Sequence, residues 1–431
     1  EDAVHPSRFP FQADTIRWQL RKGRAACFAA TGLGKAGMAL EACRLTGALR
    51  SLIVTPLGVV SQFVTEAARL DIAATVIRDQ SDVRDGINVI NYDRIHLIDP
   101  STFDCVALDE SSSLKDFEGK TRGRLIEMFR DTPYRFCYSA TPAPNDVAEL
   151  ANHAEFLGLM TRTEMLATWF VHDDQGWRLK GHARQAFYKW LASWAMSLKR
   201  PSDLGYDDSG YILPELSIRP VIVRTDYVPD GQLFATTLKG IGDRARVRKR
   251  TVSERVQAAV EIIEREPDQP WIVWCGLNDE QDAIARALGD RCVSVYGSMS
   301  PEDKVAGDAR WRAGDVPVLV TKVSIFGQGM NYQHCARMVF VGLSDSFEAY
   351  HQAIRRCWRF GQTRPVHAYV VLTDLEEAIY ANVLRKEHEF ETMTDELVKH
   401  VATYERAELG HVQQRVENVH GQPMRLPAWI R

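Results

Sequence analysis

A glycine-rich segment, ATGLGKA, runs from Ala30 to Ala36, where a buried apolar stretch gives way to a helical pattern. Gly32 and Gly34 allow backbone N–H groups to close around phosphate oxygens, and Lys35 adds a charge that reaches the β- and γ-phosphates. The segment therefore predicts a phosphate-binding loop. It departs from the usual pattern at one position, because Ala36 stands where such loops carry a magnesium-binding hydroxyl.

Two adjacent acidic residues, Asp109 and Glu110, end another apolar stretch. Ligands of open α/β sheets bind at the carboxyl ends of the strands, so this position suits a phosphate-transfer site. We expect Asp109 to hold Mg²⁺ through water, and Glu110 to orient or deprotonate an attacking water. The segment Ser139-Ala140-Thr141 follows at a further predicted strand end and makes the pattern more specific.

A basic amphipathic segment, FEAYHQAIRRCWRFGQ, extends from Phe347 to Gln362. Arg356 and Arg359 lie about one helical turn apart, so both can point at a γ-phosphate from across a cleft. An arginine placed in this way stabilises the charge that builds on a transferred phosphoryl group. A solvated surface helix is the alternative interpretation of the same pattern.

The elements that position these residues follow from the hydrophobic pattern. Short apolar runs alternate with amphipathic stretches in two series, which predicts βα repetition and parallel, doubly wound sheets. The first series of predicted strands comprises Ala25–Ala30, Ser51–Thr55, Thr75–Ile77, Ile87–Ile90, Cys105–Asp109 and Arg135–Ser139. The second comprises Trp271–Cys275, Cys292–Val295, Val318–Thr321, Met338–Val341 and Val366–Leu372.

The region between the two series has a different character, with tryptophans at helical spacing and clusters of turn residues. We interpret it as a mostly helical insertion. The predicted division is a first lobe at 1–150, the insertion and a linker at 151–250, a second lobe at 251–375 and a helical tail at 376–431. A basic run that ends at Arg250 fits either a solvated linker or a phosphate-contacting surface.

The composition is that of an ordinary globular chain of 431 residues, with a net charge of −4. A protein of this charge is not a globally basic nucleic-acid binder, so any nucleic-acid surface must be local. The eight cysteines are scattered without close pairs, which disfavours a zinc site or a disulfide framework and fits a reducing cytoplasm. No stretch is long and apolar enough to predict a membrane span.

Together these motifs resemble those of the superfamily two helicases and translocases, most closely the Swi/Snf-like branch. The resemblance extends roughly from Phe9 to Leu372, and its insertion is similar to that of helicase-like proteins of phages and prophages. The matching segments are Phe11-Gln12 (Q motif), ATGLGKA (motif I), Thr55-Pro56 (motif Ia), Asp109 to Ser112 (motif II), Ser139 to Thr141 (motif III), Gly327 to Gln333 (motif V) and Gln352 to Gln362 (motif VI).

The resemblance implies two RecA-like α/β lobes with ATP and Mg²⁺ between them. It assigns catalysis to Lys35, Asp109, Glu110, Arg356 and Arg359. The residues that it assigns to nucleotide binding are Gln12, Thr31, Gly32, Leu33, Gly34, Lys35, Ala36, Gly329 and Gln352. Those predicted to contact nucleic-acid phosphates are Thr55, Lys322 and Ser324.

The expected activity is ATP hydrolysis coupled to movement on duplex DNA, in the cytoplasm of a bacterial or phage-infected cell. A nuclease or replication protein is a plausible partner for such a motor. Two alternatives remain open. One is a strand-separating helicase, and the other is a nucleotide-gated DNA clamp with weak turnover, which Ala36 suggests.

Overall fold

Two parallel sheets form the framework of the chain. The computed structural model describes residues 4–115, 120–173, 176–225, 247–326, 330–344 and 346–409. Within these ranges the strands assemble into one sheet of seven strands, one of six, and a separate two-stranded hairpin. The predicted fold class, α/β with two parallel-sheet lobes, is confirmed.

The first lobe is built on the seven-stranded sheet. The strands before residue 200 are β1 (Arg24–Ala29), β2 (Arg50–Thr55), β3 (Ala74–Val76), β4 (Gly86–Asn91), β5 (Cys105–Asp109), β6 (Tyr134–Tyr138), β7 (Phe170–Asp173), β8 (Gly176–Leu179) and β9 (Ala195–Leu198). The sheet has the order β3-β4-β2-β5-β6-β1-β9, and β7 pairs with β8 in the hairpin. The helices are α1 (Pro10–Lys22), α2 (Lys35–Leu45), α3 (Val60–Arg69), α4 (Lys120–Met128), α5 (Leu150–Phe156), α6 (Arg162–Trp169) and α7 (Arg184–Ala192).

The second lobe is built on the six-stranded sheet. Its strands are β10 (Leu216–Val223), β11 (Trp271–Cys275), β12 (Cys292–Ser294), β13 (Val318–Lys322), β14 (Arg337–Val341) and β15 (Val366–Thr373), in the order β10-β15-β14-β11-β13-β12. Its helices are α8 (Val252–Glu264), α9 (Asn278–Leu288), α10 (Pro301–Ala313), α11 (Val323–Phe326), α12 (Phe347–Cys357) and α13 (Glu377–Leu409).

Central strands of both sheets are buried along their whole length, as in β5 and β11. Parallel strands are covered on both faces, so they appear in sequence as continuous apolar runs rather than as alternating patterns. Because the βα repeat makes every strand run the same way, the carboxyl ends of β1, β2 and β5 meet at one edge. That edge carries the glycine-rich loop and the acidic pair.

The segment 151–250, which we interpreted as a mostly helical insertion, contributes a strand to each sheet. β9 pairs with β1 at the edge of the first sheet, and β10 pairs with β15 at the edge of the second. Both strands have weak sequence signals: β9 has only four residues, and β10 contains Pro220, which is tolerated at a sheet edge. The division at 151–250 therefore cuts through both sheets.

The C-terminal helix α13 connects the two lobes. Its first turns place Ile379 and Val383 in the core of the second lobe, whereas Met393 and Leu397 lie in the core of the first. Lys199 of the first lobe also forms an ion pair with Asp395 of this helix. None of the helices in the described ranges is long and apolar enough to cross a membrane.

Candidate active site

The glycine-rich loop turns tightly between β1 and α2. Gly32 and Gly34 have φ values of +97° and +84°, a backbone region that side chains other than glycine rarely adopt. Lys35 is the first residue of α2, and its Nζ donates a 2.9 Å hydrogen bond to the carbonyl of Ala29. Burial lowers the pKa of Lys35, although the negative charges of Glu110 and Asp109 oppose that shift. The lysine therefore lies close to the acidic pair.

Gln12 is buried against the glycine-rich loop. Its Nε2 donates to the carbonyl of Leu33 at 2.9 Å, and its Oε1 accepts from the backbone N–H of Phe9 at 3.1 Å. The side-chain amide of Gln12 therefore holds the backbone of the glycine-rich loop against the start of α1. Its predicted role in nucleotide binding stays a prediction, as do those of Thr31 in the loop and Ala36 at the start of α2, which are both half-buried.

Asp109 and Glu110 lie at the carboxyl end of β5. The hydroxyl of Thr55 donates a 2.8 Å hydrogen bond to Oδ2 of Asp109, and the hydroxyl of Tyr92 donates to its backbone carbonyl at 2.8 Å. Burial, followed by the charge of Glu110, raises the pKa of Asp109, and burial also raises the pKa of Glu110. Two carboxyl groups are thus held together in a low-dielectric site, which favours a cation between or beside them.

The backbone of Glu110 has a φ of +48°, which is uncommon for a residue with a side chain. Strain of this kind concentrates at functional sites, where the surrounding structure enforces it. In the described part of the chain, Oε2 of Glu110 is buried and has no hydrogen-bond partner. An attacking water is a partner that would satisfy this atom.

The residues present fit Mg²⁺ and a nucleotide triphosphate. Carboxylate oxygens are ligands that Mg²⁺ prefers, and it keeps several of its own waters when bound. Asp109 would then hold the ion, and Lys35 and the loop backbone would hold the phosphates. The side chain of Ala36 has no oxygen, so a water molecule would take the place of the hydroxyl that is usual at this position.

The two arginines of α12 and the turn after it share one acceptor. Nη1 of Arg356 and Nη1 of Arg359 each donate to the carbonyl of Met330 at 3.1 Å. Arg356 is buried, and the charge of Glu110 is the leading influence that opposes the lowering of its pKa by burial. The charge of Arg356 is thus close enough to the acidic pair to affect the pKa of Glu110, although the two residues belong to different lobes.

A hydrogen bond crosses from the acidic loop to α12. Oγ of Ser112 donates to Oε1 of Glu348 at 2.8 Å, and Nε2 of Gln352 donates to the same oxygen at 3.3 Å. The carbonyl of Gln352 in turn accepts from Nε of Arg356 at 3.0 Å. Gln352, which we predicted to bind nucleotide, therefore links the acidic loop to the arginine in this structure.

Phe360 lies directly on the glycine-rich loop. A Cβ atom added to Gly32 would come within 2.9 Å of the Cβ of Phe360. The ring of Phe360 also stacks on Tyr211 at a centroid distance of 4.7 Å, and Tyr211 contacts Phe9 edge-on. The loop is thus packed against the second lobe, and glycine is required there for space as well as for its φ.

The three residues predicted to contact nucleic-acid phosphates differ in how accessible their side chains are. Thr55 is fully buried and bonded to Asp109, so its side chain is not available to a DNA phosphate, and that assignment is corrected. Lys322 is half-buried at the end of β13, and Ser324 is exposed in α11, so both stay candidates. Gly329 lies outside the described residues.

The basic run that ends at Arg250 includes one residue that pairs within the protein. Arg248 donates to Glu280 at 3.2 Å and does not form a free phosphate-binding surface. Lys249 and Arg250 are exposed. The residues before 247 in this run lie outside the described ranges.

Tyr92, Ser112, Glu348 and Phe360 were not identified as site residues from the sequence. Ser112 and Phe360 lie inside predicted motifs, so proximity in sequence could have indicated them. Glu348 lies in the basic amphipathic segment Phe347–Gln362, but its contact with Ser112 depends on the packing of distant segments. Tyr92 lies in no predicted motif, and its bond to Asp109 likewise joins separate segments.

Comparison with known proteins gives three findings. Residues 254–361 match the family model of the helicase conserved C-terminal domain, which covers the second-lobe elements from α8 through the turn that carries Arg359. A protein of Caenorhabditis briggsae, named as an ATP-dependent DNA helicase Q1, is 26% identical over 126 residues. That alignment covers 28% of this chain and 20% of the relative, so the chain spans about a fifth of the relative's length.

Among solved structures, the fold is similar to that of a Sulfolobus solfataricus SWI2/SNF2 ATPase core in complex with dsDNA. The match covers 95% of this chain and 97% of that chain, at 16% identity and a TM-score of 0.43. These values are too low to transfer an activity or an arrangement of the lobes. Residues 254–361 of the second lobe thus match a helicase domain model, and the first lobe carries the glycine-rich loop and the acidic pair.

Proposed function

We propose that this protein is a nucleic-acid-dependent ATPase that moves on duplex DNA. The observation that carries the proposal is the meeting of the two lobes at this site: Ser112 of the acidic loop donates a 2.8 Å hydrogen bond to Glu348 of α12, the helix that carries Arg356, and Phe360 lies on the glycine-rich loop that precedes Lys35. A phosphate-binding lysine, an acid with an unsatisfied oxygen and a buried arginine are the groups that phosphoryl transfer requires. The helicase C-terminal domain match over 254–361 supports the same conclusion.

Each residue has a defined role in this proposal. Lys35 and the loop backbone bind the β- and γ-phosphates, and Asp109 holds Mg²⁺, which neutralises phosphate charge when bound. Glu110 orients the attacking water and accepts its proton. Arg356, with Arg359 behind it, stabilises the charge that develops on the transferred group. Closing the cleft brings these groups together, and hydrolysis allows it to reopen.

We infer that this cycle moves one lobe relative to the other along DNA. Lys322 and Ser324 are the proposed contacts to the phosphate backbone, since a motor that moves along any sequence must grip phosphates rather than base edges. Because phosphate contacts release counterions, binding should weaken steeply as the salt concentration rises. A nuclease or replication partner, a phage or bacterial origin and a cytoplasmic location stay predictions.

Steady-state ATP turnover with duplex DNA, single-stranded DNA, RNA and no nucleic acid tests the proposal. We expect duplex DNA to stimulate turnover most strongly. Stronger stimulation by single strands, together with unwinding of a forked duplex, would instead identify a strand-separating helicase. Tight DNA binding that depends on nucleotide but shows almost no turnover would identify a clamp, the activity that Ala36 suggests.

A further inference from the structure

Thr55 is the last residue of β2, and its side chain lies inside the first lobe. Its exposed fraction is 0%, and its neighbour along the sheet is β5, which ends at Asp109. The Oγ1 atom donates a 2.8 Å hydrogen bond to Oδ2 of Asp109. A hydrogen bond to an ionised carboxylate is stronger than one between neutral groups, and this one is shielded from water.

This bond restricts the carboxylate that we assign to magnesium. One oxygen of Asp109 is engaged by Thr55, so the side chain is fixed in one orientation and the second oxygen is left for the ion or for a water bound to it. A carboxylate held by a neighbour loses less conformational entropy when it binds a cation. Its metal affinity should therefore depend on the hydroxyl at position 55.

The orientation of Asp109 is especially important in this chain because the side chain of Ala36 contributes no ligand to the ion. Position 36 is the second residue of α2, next to Lys35, and its side chain is only a methyl group. Mg²⁺ must then be held by Asp109, by phosphate oxygens and by water. The loss of one protein oxygen makes the orientation of the remaining carboxylate more important.

We propose that Thr55 is a positioning residue for magnesium, which sets the affinity of the nucleotide site for the ion by orienting Asp109. The proposal rests on the proposed nucleotide site, but not on turnover or on movement along DNA. Thr55 itself touches neither the ion nor the phosphates. Its hydroxyl acts only through the Asp109 carboxylate.

The test uses Thr55→Val, which keeps the shape of the side chain and removes the donor, and Thr55→Ser, which keeps the donor. The readout is the Mg²⁺ concentration that half-saturates the increase in melting temperature caused by ADP, measured on the full chain. We expect Thr55→Val to raise this concentration about tenfold, the effect of one hydrogen bond to a charged group. Affinity for ADP in EDTA should stay unchanged, and Thr55→Ser should restore the wild-type value.

Thr65→Val, at an exposed position of α3, is the matched control and should behave as wild type. An unchanged Mg²⁺ requirement in Thr55→Val would overturn the proposal. Equal weakening of ADP binding with and without Mg²⁺ would also overturn it, because that result indicates a purely structural role. If Thr55→Val does not fold, Thr55→Ala, which also removes the donor, takes its place in the same titration and must raise the Mg²⁺ requirement for the proposal to stand. Failure of the ATPase proposal would appear separately, as absent turnover in a wild type that still binds ADP and Mg²⁺.

Discussion

Ser112 of the first lobe and Glu348 of the second are joined by a 2.8 Å hydrogen bond. Ser112 lies two residues beyond Glu110, and Glu348 lies in the first turn of α12, the helix that carries Arg356. Through Gln352, a continuous set of hydrogen bonds connects the acidic loop to that arginine. The groups that we assign to water activation and to charge stabilisation are therefore mechanically linked across the cleft.

Breaking this link should slow hydrolysis more than it weakens nucleotide binding. Ser112→Ala removes the donor and leaves Glu348 with one partner fewer, so we expect kcat for ATP to fall about tenfold with KM nearly constant. The double variant with Glu348→Ala should be less impaired than the sum of the single effects, because the two side chains interact. Ser113→Ala, in the same turn, is the control. Additive effects of Ser112→Ala and Glu348→Ala would show that the bond has no role in turnover.

Removal of either arginine should mainly affect the transition state. Arg356 is buried, and its charge interacts with that of Glu110. We therefore expect Arg356→Ala to reduce kcat by about 10³–10⁵-fold. Arg359→Ala should reduce kcat slightly less, and both variants should still bind ATP. The measurement is steady-state hydrolysis at saturating ATP. Arg310→Ala, at an exposed position of α10, should hydrolyse ATP normally. Normal hydrolysis by both Arg356→Ala and Arg359→Ala would refute the arginine assignment.

Ala36→Thr restores the hydroxyl that phosphate-binding loops ordinarily place at this position. An additional oxygen ligand should lower the Mg²⁺ concentration required for half-maximal turnover and raise the rate. The size of the increase measures how much this chain loses by having alanine. The experiment is a Mg²⁺ titration of ATP turnover, with Ala36→Val as the control that adds bulk without a hydroxyl. Equal behaviour of the threonine and valine variants would exclude the missing-ligand explanation.

The buried carboxyl of Asp109 should also make the stability of the folded chain depend on pH. The pKa of Asp109 is raised from 3.8 to about 7 in the folded chain, so the folded state binds this proton more tightly than the unfolded state does. The contribution of the carboxyl to stability therefore falls as the pH rises from about 4 to about 7. Without Mg²⁺, Asp109→Asn should melt at a higher temperature than wild type at pH 8 and at a similar temperature near pH 4. Asp315→Asn, at an exposed position, controls for the change in charge. A lower melting temperature of Asp109→Asn at pH 8 would contradict the account.

Much of the framework could be predicted because buried parallel strands have a strong local signal. The predicted Cys105–Asp109 and Trp271–Cys275 coincide with β5 and β11, and most other predicted strands differ by a residue or two at their ends. The edge strands β9 and β10 were missed. β9 has only four residues, and β10 is interrupted by Arg219 and Pro220, so neither presents a long continuous apolar run.

The candidate site was predictable only in part. The backbone geometry of Gly32 and Gly34 follows from residue type, and their positive φ values agree with it. The partner of Thr55 could not be predicted, because a threonine before a proline carries no sign that its hydroxyl will meet a carboxylate from another strand. Contacts between lobes, such as Ser112 with Glu348, depend on the packing of segments more than 200 residues apart.

The central claim is that ATP is hydrolysed between Lys35 of one lobe and Arg356 of the other in response to DNA. The most direct measurement is steady-state ATP turnover by wild type, Lys35→Ala, Arg356→Ala and Arg310→Ala, with and without duplex DNA. The account predicts turnover stimulated by duplex DNA in wild type and Arg310→Ala, and almost none in the other two variants. Turnover that is indifferent to nucleic acid in wild type, or that survives both Lys35→Ala and Arg356→Ala, would contradict it.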